Sequence, residues 1–190
     1  MKKTNSREIT GGVAILLSSM ALSCGSEIED EPEMIASSDG APLRLYENPY
    51  APDMDGAPSP IGRAATAAAE AYEVGGKLRL LLAVRGFPYE RTFGSHLHRL
   101  ECNDPAKAGG HYQHMPFPEG GMATDPDYAN ATNEAWLDFT TDDRGQADSE
   151  VTMDWLPRAG EAKAIIIHDR ASGEGGVSGA KLACLPITGF

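Results

Sequence analysis

From about Arg63 onward the chain reads as short apolar-rich segments punctuated by turn residues. KLRLLLAV (77–84) is bounded by Gly75 and Gly76 before it and by Gly86 after it, which predicts a strand. The preceding segment, AATAAAEAYEV (64–74), is alanine-rich and helical by propensity alone. Next to a strand and across a two-glycine turn, it reads better as the first arm of a β-hairpin. Further strand candidates are RTFGSHLH, EAWLDFTT, ADSEVTMDW, AKAIIIH and AKLACLPI. Turn signals such as DDRG separate them, and this spacing predicts an all-β sandwich or barrel. Between Cys102 and Asn133 a long segment rich in Gly and Pro shows no period. A loop of that length in a compact domain is usually functional. There is no internal repeat.

The N-terminal part has a different texture. Lys2, Lys3 and Arg7 precede an apolar run from Gly11 to Leu22 that is too short to span a bilayer comfortably. Small residues then lead into Cys24 in the stretch ALSC, which resembles a bacterial lipobox with the weaker Ala21 at its first position. Residues 1–23 are therefore expected to be a lipoprotein signal peptide and Cys24 the lipidated residue. A plain secretory signal cut near the same place would also give export. The expected location is the bacterial cell envelope, periplasmic or at the cell surface. Residues 24–60 are acidic, carry Pro32, Pro42, Pro49, Pro52, Pro58 and Pro60, and predict a flexible tether. That leaves 61–190 as the folded β domain.

A formal charge of −12 over 190 residues argues against nucleic-acid binding, which needs a basic footprint. It also disfavours adhesion to anionic lipid by charge, leaving the lipid anchor as the membrane attachment. Cleavage after residue 23 removes three bases and one acid, which moves −12 to −14. An anionic substrate would then need a local positive field. If Cys24 carries lipid, Cys102 and Cys184 remain, and an even pair in an oxidising compartment reads as a disulfide. Its loop of about 80 residues is worth roughly 4–5 kcal/mol in the chain-entropy model.

All five histidines, His96, His98, His111, His114 and His168, lie in the β domain. On a strand, His96 and His98 point to the same face. Taken alone, such a pair is more often a polar face turned to water. Imidazole suits copper, zinc, iron and nickel, and no cysteine pair stands at zinc-finger spacing. Composition thus permits a histidine-rich metal site without identifying it.

The motifs GSHLH, a cysteine four residues on, AGGHYQHMP, IIIHDR and GVSGAKLACLPI follow one another in the order found in the copper/zinc superoxide dismutases. The chain resembles that family over roughly residues 63–187. The resemblance implies a Greek-key, immunoglobulin-like barrel or sandwich of about eight antiparallel strands. It implies copper ligation by His96, His98, His111 and His168, with His111 matching the histidine that bridges copper to zinc in two-metal members. It also pairs Cys102 with Cys184. The implied activity is conversion of superoxide to oxygen and hydrogen peroxide by Cu(II)/Cu(I) cycling. His111 would leave copper on reduction and carry a proton.

Two features depart from the family. Its zinc site uses the bridging histidine, two more histidines and an aspartate, whereas only His114 is left here, three residues after His111. A nonstandard site of His111, His114 and the loop carboxylates Glu119, Asp125, Asp127 and Glu134 stays open. A copper-only member is the preferred reading. Ligand imidazoles nearly always give their second N–H to a partner. The resemblance to copper-only relatives, which use a carboxylate there, implies Glu134 in NEAWLDF as the residue that orients His111. Second, the segment between His168 and Cys184 is short, and Lys181 stands where the family has its active-site arginine. Lysine keeps the charge but not the planar fork of donors. The competing reading is a non-enzymatic copper-binding or copper-buffering lipoprotein on the same fold; a metal-free structural sandwich is disfavoured by the four-histidine set. Oligomeric state is left open.

Overall fold

The computed structural model describes residues 30–46 and 60–190. The signal peptide and the Cys24 lipidation expected from the sequence lie outside these residues. The described residues are all-β: apart from one turn of 3-10 helix at Glu174–Gly176, every regular element is a strand.

The strands are β1 Glu33–Ser37, β2 Arg44–Leu45, β3 Thr66–Val74, β4 Lys77–Arg85 and β5 Thr92–Phe93. They continue with β6 Ser95–His98, β7 Phe139–Thr140, β8 Ala147–Met153, β9 Ala164–His168 and β10 Lys181–Pro186. One four-stranded sheet runs β1-β3-β4-β8, a second runs β2-β10-β9-β6, and β5 pairs with β7 alone. All pairings are antiparallel. Ten strands stand among the described residues where about eight were expected, and three of them are only two residues long.

The alanine-rich segment 66–74 is a strand, as the hairpin reading had it. Gly75 and Gly76 both take positive φ, which a two-residue turn matching the strand twist requires. From there β3 and β4 stay in register over their whole length. Along β4 the residues Leu78, Leu80, Leu82 and Val84 are buried while their neighbours are partly exposed, so this sheet buries one face. Those side chains meet Leu97, Ile165, Ile167, Leu182 and Leu185 of the second sheet in the main core.

The second sheet is covered on both faces. Ile165 and Ile167 enter the main core, whereas Ala164, Ile166 and Cys184 join Cys102, Ala108 and Tyr46 in a smaller cluster on the other side. Burial on both faces is why AIIIH reads as an unbroken apolar run rather than an alternation.

The expectation of a flexible tether through residue 60 is corrected for its middle part. Residues 33–37 pair with β3, and residues 44–45 pair with β10. Tyr46 is buried and donates its hydroxyl to the carbonyl of Cys102 at 3.1 Å. Short strands at a sheet edge need only two or three inward side chains, here Ala36 and the partly buried Ile35 and Leu45. Such a signal is too brief to stand out among prolines.

Candidate metal centre

Strand register decides where the histidines go. In the β6–β9 pair, Leu97 lies opposite Ile165, while His96 and His98 lie opposite Ile166 and Ala164. Leu97 therefore faces the main core, and both imidazoles share the outer face with the smaller cluster. The free edge of β6 is taken by both ends of the long loop: Tyr112 N–H donates to Leu97 O and Leu137 N–H to Ser95 O, each at 2.7 Å. Backbone bridges place His111 beside His98 and Trp136 beside His96. His168 ends β9 on the same face as Ala164 and Ile166, since it lies two residues beyond Ile166.

The four ligand nitrogens of His96, His98, His111 and His168 lie within 4.8 Å of one another. Among the described residues this is the one His/Cys/Asp/Glu group arranged to hold a metal ion. The outward nitrogens are each committed. His98 Nδ1 meets Gly109 O at 3.0 Å and His168 Nδ1 meets Gly179 O at 3.3 Å. A carbonyl only accepts, so both Nδ1 atoms carry the proton and both Nε2 atoms are bare in the neutral rings. His111 Nδ1 meets Glu134 Oε2 at 2.8 Å, which leaves its Nε2 bare in the same way. His96 Nε2 sits 2.5 Å from Ser172 Oγ, and its Nδ1 is buried without any hydrogen-bond partner.

These commitments fit a bound cation. His98 Nε2 and His168 Nε2 stand 3.3 Å apart with no hydrogen to share between them, so two lone pairs face each other. With the orphaned His96 Nδ1, this is a donor set that a metal ion satisfies and that neutral protein leaves in mutual repulsion. Protonation is opposed as well. Burial, followed by the charge of the neighbouring His111 and His168, holds His96 and His98 well below the ordinary imidazole range. Burial, then His111, lowers His168 to about 3. His96, His98 and His168 are thus neutral ligands at ordinary pH.

Glu134, singled out from sequence, is 1% exposed and accepts three hydrogen bonds. Its Oε2 takes His111 Nδ1 and Trp136 Nε1, and its Oε1 takes Gln113 Nε2, all at 2.8 Å. The chain approaches this carboxylate closely at Gly176, where a Cβ would stand 3.1 Å from Glu134 Oε2 and 3.2 Å from His111 Nδ1.

Lys181 reaches the site through a bulge. It pairs with His168 while Ala183 pairs with Ile167, so Leu182 is extra and Lys181 is turned to the outer face with the histidines. Its ammonium is half-buried and donates to the carbonyls of Gly109 (2.5 Å), Lys107 (2.7 Å) and Ala106 (3.4 Å). Burial, and then Lys107, lower its pKa from the usual lysine value. Gly109 O thus receives both Lys181 and His98. Beside these groups opens a cavity of about 570 Å³, lined by His98, His111, His168, Lys181, Phe117 and Val177 among others.

Cys102 and Cys184 form a disulfide with Cα atoms 5.6 Å apart, tying the loop that carries Gly109 to β10. His114, by contrast, does not join the cluster. Its exposed ring stacks on Trp155 at 5.1 Å, and the His111 nitrogen that would face a second metal is the one held by Glu134. The second-site grouping considered from sequence is therefore not assembled.

Four contributors escaped the sequence reading: Gln113, Trp136, Asp138 and Ser172. For two of them a signal existed. Alternation along EAWLDF puts Glu134, Trp136 and Asp138 on one side and sends Ala135, Leu137 and Phe139 into the core. Ser172 has no such signal; only the fold of its loop brings it to His96.

A scan of protein-family models and a search of curated proteins give no match. Solved structures do match the fold. One, the clock protein EA4, aligns with a TM-score of 0.50 at 16% identity, over 70% of this chain and 97% of that chain. At that identity the likeness is one of fold alone.

Proposed function

We propose that this protein is an exported, copper-dependent superoxide dismutase working without zinc. The observation that carries the reading is a set of four imidazoles whose ligand nitrogens converge within 4.8 Å of one another beside an open cavity. The order of the histidine and cysteine motifs along the chain supports it. Bound there, copper would supply the one-electron couple that oxidises one superoxide and reduces the next.

The chain's own residues supply the rest. His98 and His168 are locked by backbone carbonyls, so their Nε2 atoms are fixed donors. His111 is held instead by a buried carboxylate, which keeps the proton on Nδ1 and leaves Nε2 bare. His111 lines the cavity, and its bare nitrogen is the one that can take a proton and give it to the reduced product. Glu134 replaces a second metal in this role. Lys181 places a positive charge on the cavity wall of an otherwise acidic protein, which draws in a small anion.

One observation favours a second reading, a copper-holding protein without turnover: the Lys181 ammonium already donates to three carbonyls. Stopped-flow disproportionation of superoxide by the protein, loaded with copper alone and with copper plus zinc, separates the readings. Fast turnover with copper alone is expected. Tight copper binding without turnover would favour the second reading, and a requirement for zinc would overturn the zinc-free one.

A further inference from the structure

We propose that Ser172 is a positioning residue that selects which nitrogen of His96 faces the metal, acting as a hydroxyl relay between that imidazole and the Asp138 carboxylate. The inference rests on the metal site proposed above. The other three histidines are held by groups that only accept: two backbone carbonyls and one buried carboxylate. His96 alone faces a hydroxyl, which can donate or accept, so its tautomer is undetermined until the hydroxyl proton is assigned.

Asp138 assigns it. Its Oδ1 accepts the Ser172 hydroxyl at 2.7 Å and the Ser95 N–H at 3.0 Å, and its Oδ2 accepts the Ser172 N–H at 2.6 Å. With its single proton given to Asp138, Ser172 Oγ can only accept from His96. That puts the proton on Nε2 and leaves Nδ1 bare, which is the buried nitrogen with no partner. Asp138 cannot do this directly, because its Oδ1 stands 3.9 Å from His96 Nε2, beyond hydrogen-bond range. The hydroxyl is therefore the required link, and the chain of bonds carries the carboxylate's influence to the imidazole. The same bonds fasten the loop after β9 to the segment before β7, so the relay also holds its own geometry.

The inference is tested on metal-free protein by 15N NMR of the imidazoles, then by copper competition titration. In wild type, His96 is expected as the Nε2–H tautomer. Ser172→Ala should let the Nδ1–H form appear and weaken copper binding about ten- to hundredfold, the usual range for loss of such a partner. Ser172→Thr, which keeps the hydroxyl, should restore both. An Nδ1–H tautomer in wild type overturns the proposal, even if the alanine variant fails to fold. So does a folded Ser172→Ala protein with unchanged tautomer and unchanged affinity. If wild type binds no copper, the metal reading fails, while the tautomer still decides the relay.

Discussion

The two sheets of this protein solve different problems. The β1-β3-β4-β8 sheet buries one face and leaves the other to water, where Lys77–Asp154, Arg79–Glu150 and Arg85–Asp148 pair across β4 and β8 or just beyond them. The β2-β10-β9-β6 sheet is roofed on its second face by the long loop and by the disulfide-tied segment. Polar groups placed under that roof lose water and must find partners, which is how three of the four imidazoles become fixed by named acceptors. One sheet thus serves stability, and the other uses part of that stability to hold lone pairs together.

The largest effect expected from breaking this division is at the roof. Cys184→Ser should destabilise the fold by roughly 4–5 kcal/mol in the chain-entropy model, read by denaturant unfolding, and weaken copper binding by releasing the Gly109 loop. Loss of stability with unchanged copper affinity would show that the disulfide does not position the site. In the first sheet, Leu80→Ala should cost about 2–5 kcal/mol of stability while copper affinity of the folded protein stays at wild type. A matching fall in affinity would mean that the two sheets are not separable.

Glu134→Gln sharpens the comparison at the site itself. A glutamine presents an N–H to donors that now meet a carboxylate, at a cost of about 1–3 kcal/mol. Dismutation should drop about ten- to hundredfold with copper still bound; unchanged activity would remove Glu134 from the mechanism.

Acid should expose the same strain in metal-free protein. Unfolded imidazoles titrate near 6.5, whereas His168 is lowered to about 3 and His96 and His98 are also lowered. Below pH ~6.5 the unfolded chain takes up protons that the folded chain refuses, so stability present above that pH declines as pH falls toward 3. Denaturation midpoints between pH 7.5 and 4 should follow this slope, and bound copper should move it to lower pH; identical profiles with and without copper would contradict it. The smallest effect belongs to the solvated face. Arg79→Ala should change stability by about 0–1 kcal/mol and leave copper binding alone.

Legibility in the sequence follows the same division. Along β8, where one face is buried, exposed polar residues alternate with more buried ones; along β4 the flanking glycines mark the strand, since Leu80 to Val84 is apolar throughout. Where both are buried, as in β9, the run is apolar throughout and only its flanking turns mark it. His96, His98, His111 and His168 were readable from motif order, and Glu134 from the resemblance to copper-only relatives that use a carboxylate there. The brief edge strands β1 and β2 were not, because they are short and set among prolines. Nor was Ser172, 76 residues from the histidine it meets, because only the closed fold makes them neighbours. The carbonyls of Gly109 and Gly179 leave no trace in the sequence, since any residue supplies one.

The central claim, that three imidazoles on the second sheet and His111 from the loop covering it make one copper site, is tested most directly by titrating metal-free protein with copper under an imidazole-nitrogen-sensitive spectroscopic probe. The account predicts one tight copper per chain with nitrogen coupling, lost in His98→Ala and retained in His114→Ala. Copper that binds weakly, or that His114→Ala releases while His98→Ala does not, would contradict it.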